Sequence, residues 1–527
     1  MKLKKITAVI SATAVLACSG CLSSSIVSAE SGSLPDAYYN LSSYSIKKSF
    51  LTETSDGYMR VYVPNEKTDN NIKIEYFDKS FNFMSKRSIP RELEYWGGFF
   101  EGKDNYFTIE GTANKDEIDT NEVIRVNKYD KSWNKLGTAK ITSNGEMFGG
   151  QVRYPFDYGC CELTELNGNL YIGMGHQGYV DESVGQGHQG LLLLMVDENT
   201  MTGKVADCDL WHSFSQYLTN DGSSIYLLEE SEGSGISLLT KYNSADLPAD
   251  YFDSQDEATI LKYGGNRESV WSVATYASCN GITLSGNNVL TLGTSIDQSK
   301  YGNDYTYNIY LGVTPKNNVK TESTELKWIT NIPSSSENSF YRSGVNDAEI
   351  IKINDNRFMI SWNQVGESSD YSNKTLSDYN DPLSENKLHY IFIDGNGNKL
   401  SNEYTVDAAF SDCRPIYNGS EVVFYASDDN TVDFYTINAS TGDFNKKVCK
   451  SAGDLLGDIN GDGSIDSKDA VLVLKSYAES LVSGENTFYS AGDINGDDKV
   501  DSKDAVIILK YYAATLTGLS GDVSEFI

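Results

Sequence analysis

The chain has 527 residues, more than one ordinary core holds, and carries 74 acidic against 43 basic side chains, a net charge of −31. A field of that sign repels phosphate backbones and anionic membrane surfaces, so nucleic acid is excluded as a partner.

The first residues combine a basic start, MKLKK, an apolar run, ITAVISATAVLA, and small residues leading to Val27–Ala29. This is the pattern of a secretory signal peptide over residues 1–29, too short to cross a bilayer. A lipid-anchored alternative, resting on Cys18 and Cys21, ranks second. No later segment is long enough to be transmembrane. Cleavage after Ala29 leaves 74 acidic against 40 basic groups, a net charge of −34. It also leaves Cys160, Cys161, Cys208, Cys279, Cys413 and Cys449. Export permits disulfides, and six cysteines allow fifteen pairings among which sequence cannot choose.

Between residues 40 and 449 one unit recurs. A short apolar strand follows a polar turn at Tyr58, Tyr106, Leu170, Ile225, Val289, Phe358 and Val422, at spacings of 48 to 69 residues. After each comes a second strand running into a turn, as in IKIEYFDKSFN, VIRVNKYDKSWN and KLHYIFIDGNGN. Val, Ile, Tyr and Phe dominate these segments, Asp, Asn and Gly close them, and helical periodicity is missing. A repeat of that length holding about four strands matches a propeller blade, because one small sheet cannot bury its faces alone and several around an axis can. The expectation is mainly β: a seven-bladed β-propeller of no identified family.

Upstream of the apolar strands lie WGGFF, YGCCE, SFSQY, ASCNG, GVNDAE and SDCRP, which are expected to line the axial channel. Asp347, Glu349, Asp412 and Arg414 fall there, near one mouth, where propellers commonly place ligands. Asp347, Glu349 and Asp412 are the catalytic candidates, although no motif marks them; the bland reading of Asp412–Arg414 is local support. The segment Gly173–Gly190 repeats His-Gln-Gly at His176 and His188, with His212 nearby. Read as a Gly-rich loop, it suits a polar binding role better than a metal site. The many tyrosines and tryptophans fit strand positions and mark no sugar platform.

Near the C-terminus GDINGDGSIDSKDAV, from Gly457, returns 35 residues later as GDINGDDKVDSKDAV. A twelve-residue calcium loop needs oxygen donors at positions 1, 3, 5, 7, 9 and 12. The first copy supplies Asp458, Asn460, Asp462, Ser464 through its carbonyl, Asp466 and Asp469. The second supplies Asp493, Asn495, Asp497, Lys499 through its carbonyl, Asp501 and Asp504, with Asp498 in place of the turn glycine Gly463. Two solvated acidic turns do not explain six donors correctly spaced twice. Apolar residues then follow at helical spacing, Ala470, Val471, Val473, Leu474, Tyr477, Ala478 and Leu481, each repeated 35 residues on. Position 12 is Asp rather than Glu, and no helix precedes either loop.

Residues 453–518 therefore resemble a type I dockerin, a module of two calcium loop-helix repeats. The resemblance implies two bound Ca2+ ions and a cohesin module of a scaffoldin as partner. It also implies an extracellular, cellulosome-attached life. The family's recognition positions are occupied by Ser467, Lys468, Ser502 and Lys503, matched pairs that imply docking through either repeat; the lysines suggest acidic groups on the cohesin. Company favours a polysaccharide-active propeller, a hydrolase or lyase of glycosidic bonds acting in polysaccharide catabolism. A non-catalytic propeller that binds glycan, cell surface or another protein is the alternative, because propellers host all of these.

Overall fold

The computed structural model describes residues 49–64, 70–143, 150–156, 161–181, 183, 185–209, 212–231, 235–247, 256–262, 277–297, 306–332, 343–365, 387–408, 411–427, 431–450, 456–459, 464–483, 492–497, 499–518 and 523–527. The signal-peptide segment, Cys160, Asn460, Asp462, Gly463 and Asp498 lie outside them.

From Ser49 to Lys450 the described chain is antiparallel β meander. Each apolar strand is the second of its run and hydrogen-bonds the first and third; in the first sheet Ser49–Glu53, Gly57–Tyr62, Asn71–Asp78 and Phe83–Pro90 lie in chain order. The expected seven discrete blades are corrected. Among the described residues there are five discrete sheets, and the strands between Ser278 and Asp407 form one eight-stranded sheet. The physical reason is a short parallel pairing, Thr306 with Ser343 and Tyr307 with Gly344, which joins the third strand of one run to the first strand of the next and so merges two runs into one sheet. Gly344 sits at φ +97, and a Cβ there would fall 2.3 Å from the Tyr307 carbonyl oxygen, so this close approach requires glycine.

The hairpin turns are built by one device used three times. Asp78, Asp130 and Asp394 each accept the N–H groups two and four residues on, and the asparagine amide four residues on. The residue third after each aspartate is left-handed: Gly397 in one turn, but Phe81 at φ 60 and Trp133 at φ 64 in the others. Burial offsets that strain. Phe81 stacks on Tyr58 and on Phe434 at 4.7 Å, and Trp133 packs among Phe99, Tyr106 and Tyr129.

Apolar clusters fill the gaps between successive sheets. One of them joins the first sheet to the last, through Leu51, Tyr58 and Phe77 against Val423, Tyr425 and Phe434, so the arrangement closes on itself. Asp412 latches this closure. Its carboxylate accepts the Ser49 N–H at 3.0 Å and the Ser49 hydroxyl at 2.6 Å, and both residues are buried. Mainly β and propeller-like is the architecture, followed by a small helical domain.

In that domain α1 (Ser467–Ser483) and α2 (Ser502–Leu516) each follow an acidic loop. Ala470, Val473, Ala505, Ile507 and Ile508 pack with Ile459, Ile465, Ile494 and Val500 from the loops. The expected apolar face splits: Val471, Leu474 and Leu481, with their counterparts Val506, Leu509 and Leu516, remain exposed. Among the described residues no helix is long and apolar enough to cross a membrane.

Candidate functional site

First strands of successive runs pack against one another, those starting at Glu162, Ser213, Ser278 and Ser343 in turn. Four first strands carry a β-bulge near their start, at Trp96/Gly98, Phe214/Tyr217, Cys279/Gly281 and Val345/Asp347. A bulge re-aims side chains and is common beside sites.

Arg414 reaches these strands. Its Nη1 donates to Glu162 at 2.6 Å, its Nε lies 3.6 Å from Glu349, and its guanidinium sits 4.8 Å from the centre of the Tyr217 ring. Glu162, Tyr217, Glu349 and Arg414 come from four different places around the ring, and only across its middle can sheets that are not neighbours touch. Both glutamates are buried and Arg414 is about one-third exposed, at 35% of its side chain. One guanidinium is thus shared between the two carboxyl groups. Glu162 stands inside YGCCE but carried no signal of its own; its role depends on a partner 252 positions away. Asp347 pairs with Asn363 on the strand that carries Glu349, and its side chain lies outside the described residues. Asp412 is two residues before Arg414, but its carboxylate is turned to Ser49 at the closure.

A second polar cluster was not singled out by sequence. Glu229 is buried, accepts the Ser213 hydroxyl, and is pushed well above the usual carboxylate range by burial and then by Asp209. Gln216 donates to the same Ser213 oxygen at 2.9 Å.

The His-Gln-Gly segment is corrected from loop to strand. Asn169–Asp181 and Gln186–Asp197 extend the hairpin, and His176 pairs opposite Gly190 with its Nδ1 3.0 Å from that carbonyl. His188 Nδ1 instead meets His212 Nε2 at 3.1 Å, and burial with the neighbouring imidazole holds His188 below the ordinary histidine range. None of Cys161, Cys208, Cys279, Cys413 and Cys449 is bridged to another. Burial pushes the Cys208 thiol up to about 12 and the Cys449 thiol up to about 11, which silences their nucleophilicity.

The C-terminal loops present the other arrangement. Asp469 and Asp504 are fully buried and turned into their own loops. Asp469 accepts the Ile459 and Asp466 N–H groups, both at 2.8 Å; Asp504 accepts those of Ile494 at 3.0 Å and Asp501 at 2.9 Å. In the second loop the Asp497 N–H donates to Asp493 and Asn495, wrapping the turn around the donors. Lys503 places its ammonium 3.3 Å from Asp497 and 3.7 Å from Asp501, and Lys468 lies 3.4 Å from Asp466. The carboxylates already gather a cation, so oxygen-rich loops of this kind fit a hard divalent ion. Ser467 and Ser502 begin the two helices on the faces that carry the exposed Val471, Leu474 and Val506, Leu509.

No curated protein matches the chain. Solved structures resemble it loosely. A protein provisionally classed as a 6-phosphogluconolactonase from Bacteroides fragilis is 12% identical with a TM-score of 0.40, over 74% of this chain and 94% of the other. The polysaccharide lyase Uly1 is 8% identical with a TM-score of 0.41, over 69% and 82%. TolB from Acinetobacter baumannii is 10% identical with a TM-score of 0.31, over 76% and 79%. Likenesses of this size carry no chemistry across. The C-terminal match is of another kind: residues 456–513, with their duplicated calcium loops and paired helices, are a Dockerin type I domain.

Proposed function

We propose that the protein is an extracellular cellulosome component that docks onto a scaffoldin cohesin and brings its β-domain to plant polysaccharide. The observation that carries the docking half is the type I dockerin at residues 456–513. Type I dockerins bind calcium; here two ions would be held, one by Asp458, Asn460, Asp462, Ser464, Asp466 and Asp469, the other by Asp493, Asn495, Asp497, Lys499, Asp501 and Asp504. Calcium supplies the positive charge that lets these carboxylates share a loop. The cohesin would meet Ser467, Lys468, Ser502 and Lys503, together with the exposed apolar side chains beside them. Either repeat offers the same surface, and the lysines suit an acidic partner.

For the β-domain the reading is work on polysaccharide at the axial mouth, around Glu162, Glu349 and Arg414. Hydrolysis or β-elimination of a glycosidic bond needs a carboxyl or another group ready to hold a proton. Both glutamates are tied to one guanidinium, at 2.6 and 3.6 Å, which supports the second reading, binding without cleavage. The two are separated by assaying reducing-end release and polymer pull-down on the same panel of plant polysaccharides. Release lost in Glu162→Gln and Glu349→Gln supports catalysis. Pull-down without release, weakened in Arg414→Ala, supports binding; no interaction with any polymer overturns both.

A further inference from the structure

A separate feature lies in the eight-stranded sheet. A cavity of about 290 Å³ opens where its two runs meet, lined by Asp297, Asn308, Trp328, Thr330, Asn331 and Lys399. This is the lower end of the volumes that small-molecule sites occupy, the scale of one or two sugar rings. From the position of these groups we propose that the cavity binds a neutral sugar ring, as the end or a short stretch of an uncharged oligosaccharide.

The cavity's chemistry selects that ligand. Trp328 is half-buried; its indole meets Tyr310 edge-on at 6.3 Å and also lines the cavity, offering an apolar surface to the C–H face of a pyranose. Around it stand an acceptor, Asp297, a cationic donor, Lys399, and an amide, Asn331. A hydroxyl both donates and accepts, and this mixture serves both roles. One carboxylate and one ammonium leave the lining without net charge, so an anionic sugar finds no unbalanced cation there. The protein's overall negative charge disfavours anionic polymers further.

The wall is built in advance. Asn308 is 2% exposed, and its Oδ1 accepts the Thr330 hydroxyl at 2.9 Å and the Ile332 N–H at 2.8 Å, while the Ile329 N–H donates to the Ile309 carbonyl. These bonds fix the segment after Trp328 against its neighbouring strand. Lys327 donates to the Asn396 carbonyl at 2.7 Å and to Asn398 at 3.2 Å, which ties the turn bearing Lys399 to the strand bearing Trp328. A lining held from both sides loses little freedom when a ligand enters.

The test is calorimetric titration of the full chain, in saturating calcium, with cellohexaose, xylohexaose and oligogalacturonate. At least one neutral oligosaccharide is expected to bind. Trp328→Ala should weaken it about tenfold or more, Trp328→Tyr should stay within about threefold, and Lys399→Ala should weaken it about threefold. Circular dichroism of each variant guards against misfolding, and Trp328→Tyr with Lys399→Ala decides the matter if Trp328→Ala does not fold. In an Arg414→Ala background the loss caused by Trp328→Ala should persist in full, which separates this site from the axial one. Absence of heat with both neutral ligands, unchanged binding in Trp328→Ala and Lys399→Ala, or tighter binding of oligogalacturonate would each overturn the proposal.

Discussion

The axial mouth of the β-domain and the loops of the dockerin handle negative charge in opposite ways. In the β-domain the chain supplies its own counter-ions: Glu162 and Glu349 face Arg414 at the mouth, and within the first sheet Arg60 sits 3.6 Å from Glu75 with its guanidinium over the Tyr62 ring. In the dockerin the carboxylates outnumber anything the chain sets against them, and exposed lysines stand at the edge of each loop. The first solution is internal and permanent. The second leaves the domain's integrity dependent on an ion from outside, so one protein contains a part that chelators should ignore and a part that they should dissolve.

The largest effect that would break this contrast is chelation itself. EDTA should abolish cohesin binding, by about 100-fold or more, and remove helical ellipticity while the thermal transition of the β-domain stays in place. A shift of both transitions together would mean that the two parts are not independent in this respect. Next comes the closure latch. Asp412→Ala strands the buried N–H and hydroxyl of Ser49 and should cost the β-domain about 2–4 kcal/mol in urea unfolding, with calcium affinity unchanged.

A smaller effect concerns Glu229, which burial and Asp209 raise above the ordinary carboxylate range. Its contribution to stability is complete below that range and declines as the pH climbs towards its raised value. Glu229→Gln keeps an acceptor for Ser213 and removes this decline. The variant should melt about 1–3 °C higher near neutral pH and no higher at pH 4, followed by differential scanning calorimetry. The smallest effect belongs to Lys503, whose ammonium is held charged first by its bond to Asp497 and then by Asp501. Lys503→Met removes a cation that competes for these carboxylates, and should tighten calcium at the second loop by about two- to threefold in a chelator competition titration.

Much of this was legible in sequence, for reasons that differ between the two regions. The dockerin loops obey a spacing rule imposed by one ion, so donors at fixed offsets identify them without any partner being known. The strand pattern was equally plain, since Tyr58, Phe358 and the other starts all fall in second strands of their runs. How runs join was not, because the parallel contact of Thr306–Tyr307 with Ser343–Gly344 is a matter of two residue pairs. The mouth was half legible. The segments SDCRP and GVNDAE pointed to Arg414 and Glu349, but Glu162 and Tyr217 become meaningful only when distant strands face each other. The hydrogen bonds of Asp412 were hidden for the same reason: its partner, Ser49, is 363 positions away. In the helices the period was right, but it could not say that one apolar stripe faces a core and the other faces out.

The edge strand Phe444–Lys450 is held to Thr431–Asn438 by seven antiparallel residue pairs, and its last residue is where the chain leaves the ring towards the dockerin. A pull from a scaffold to which the tail is anchored therefore enters at Lys450, opposite Thr431, and opens that ladder one rung at a time like a zip. The Ser49–Asp412 latch uses no residue of that strand, so the outermost strand would act as a mechanical fuse, yielding before the ring itself is strained.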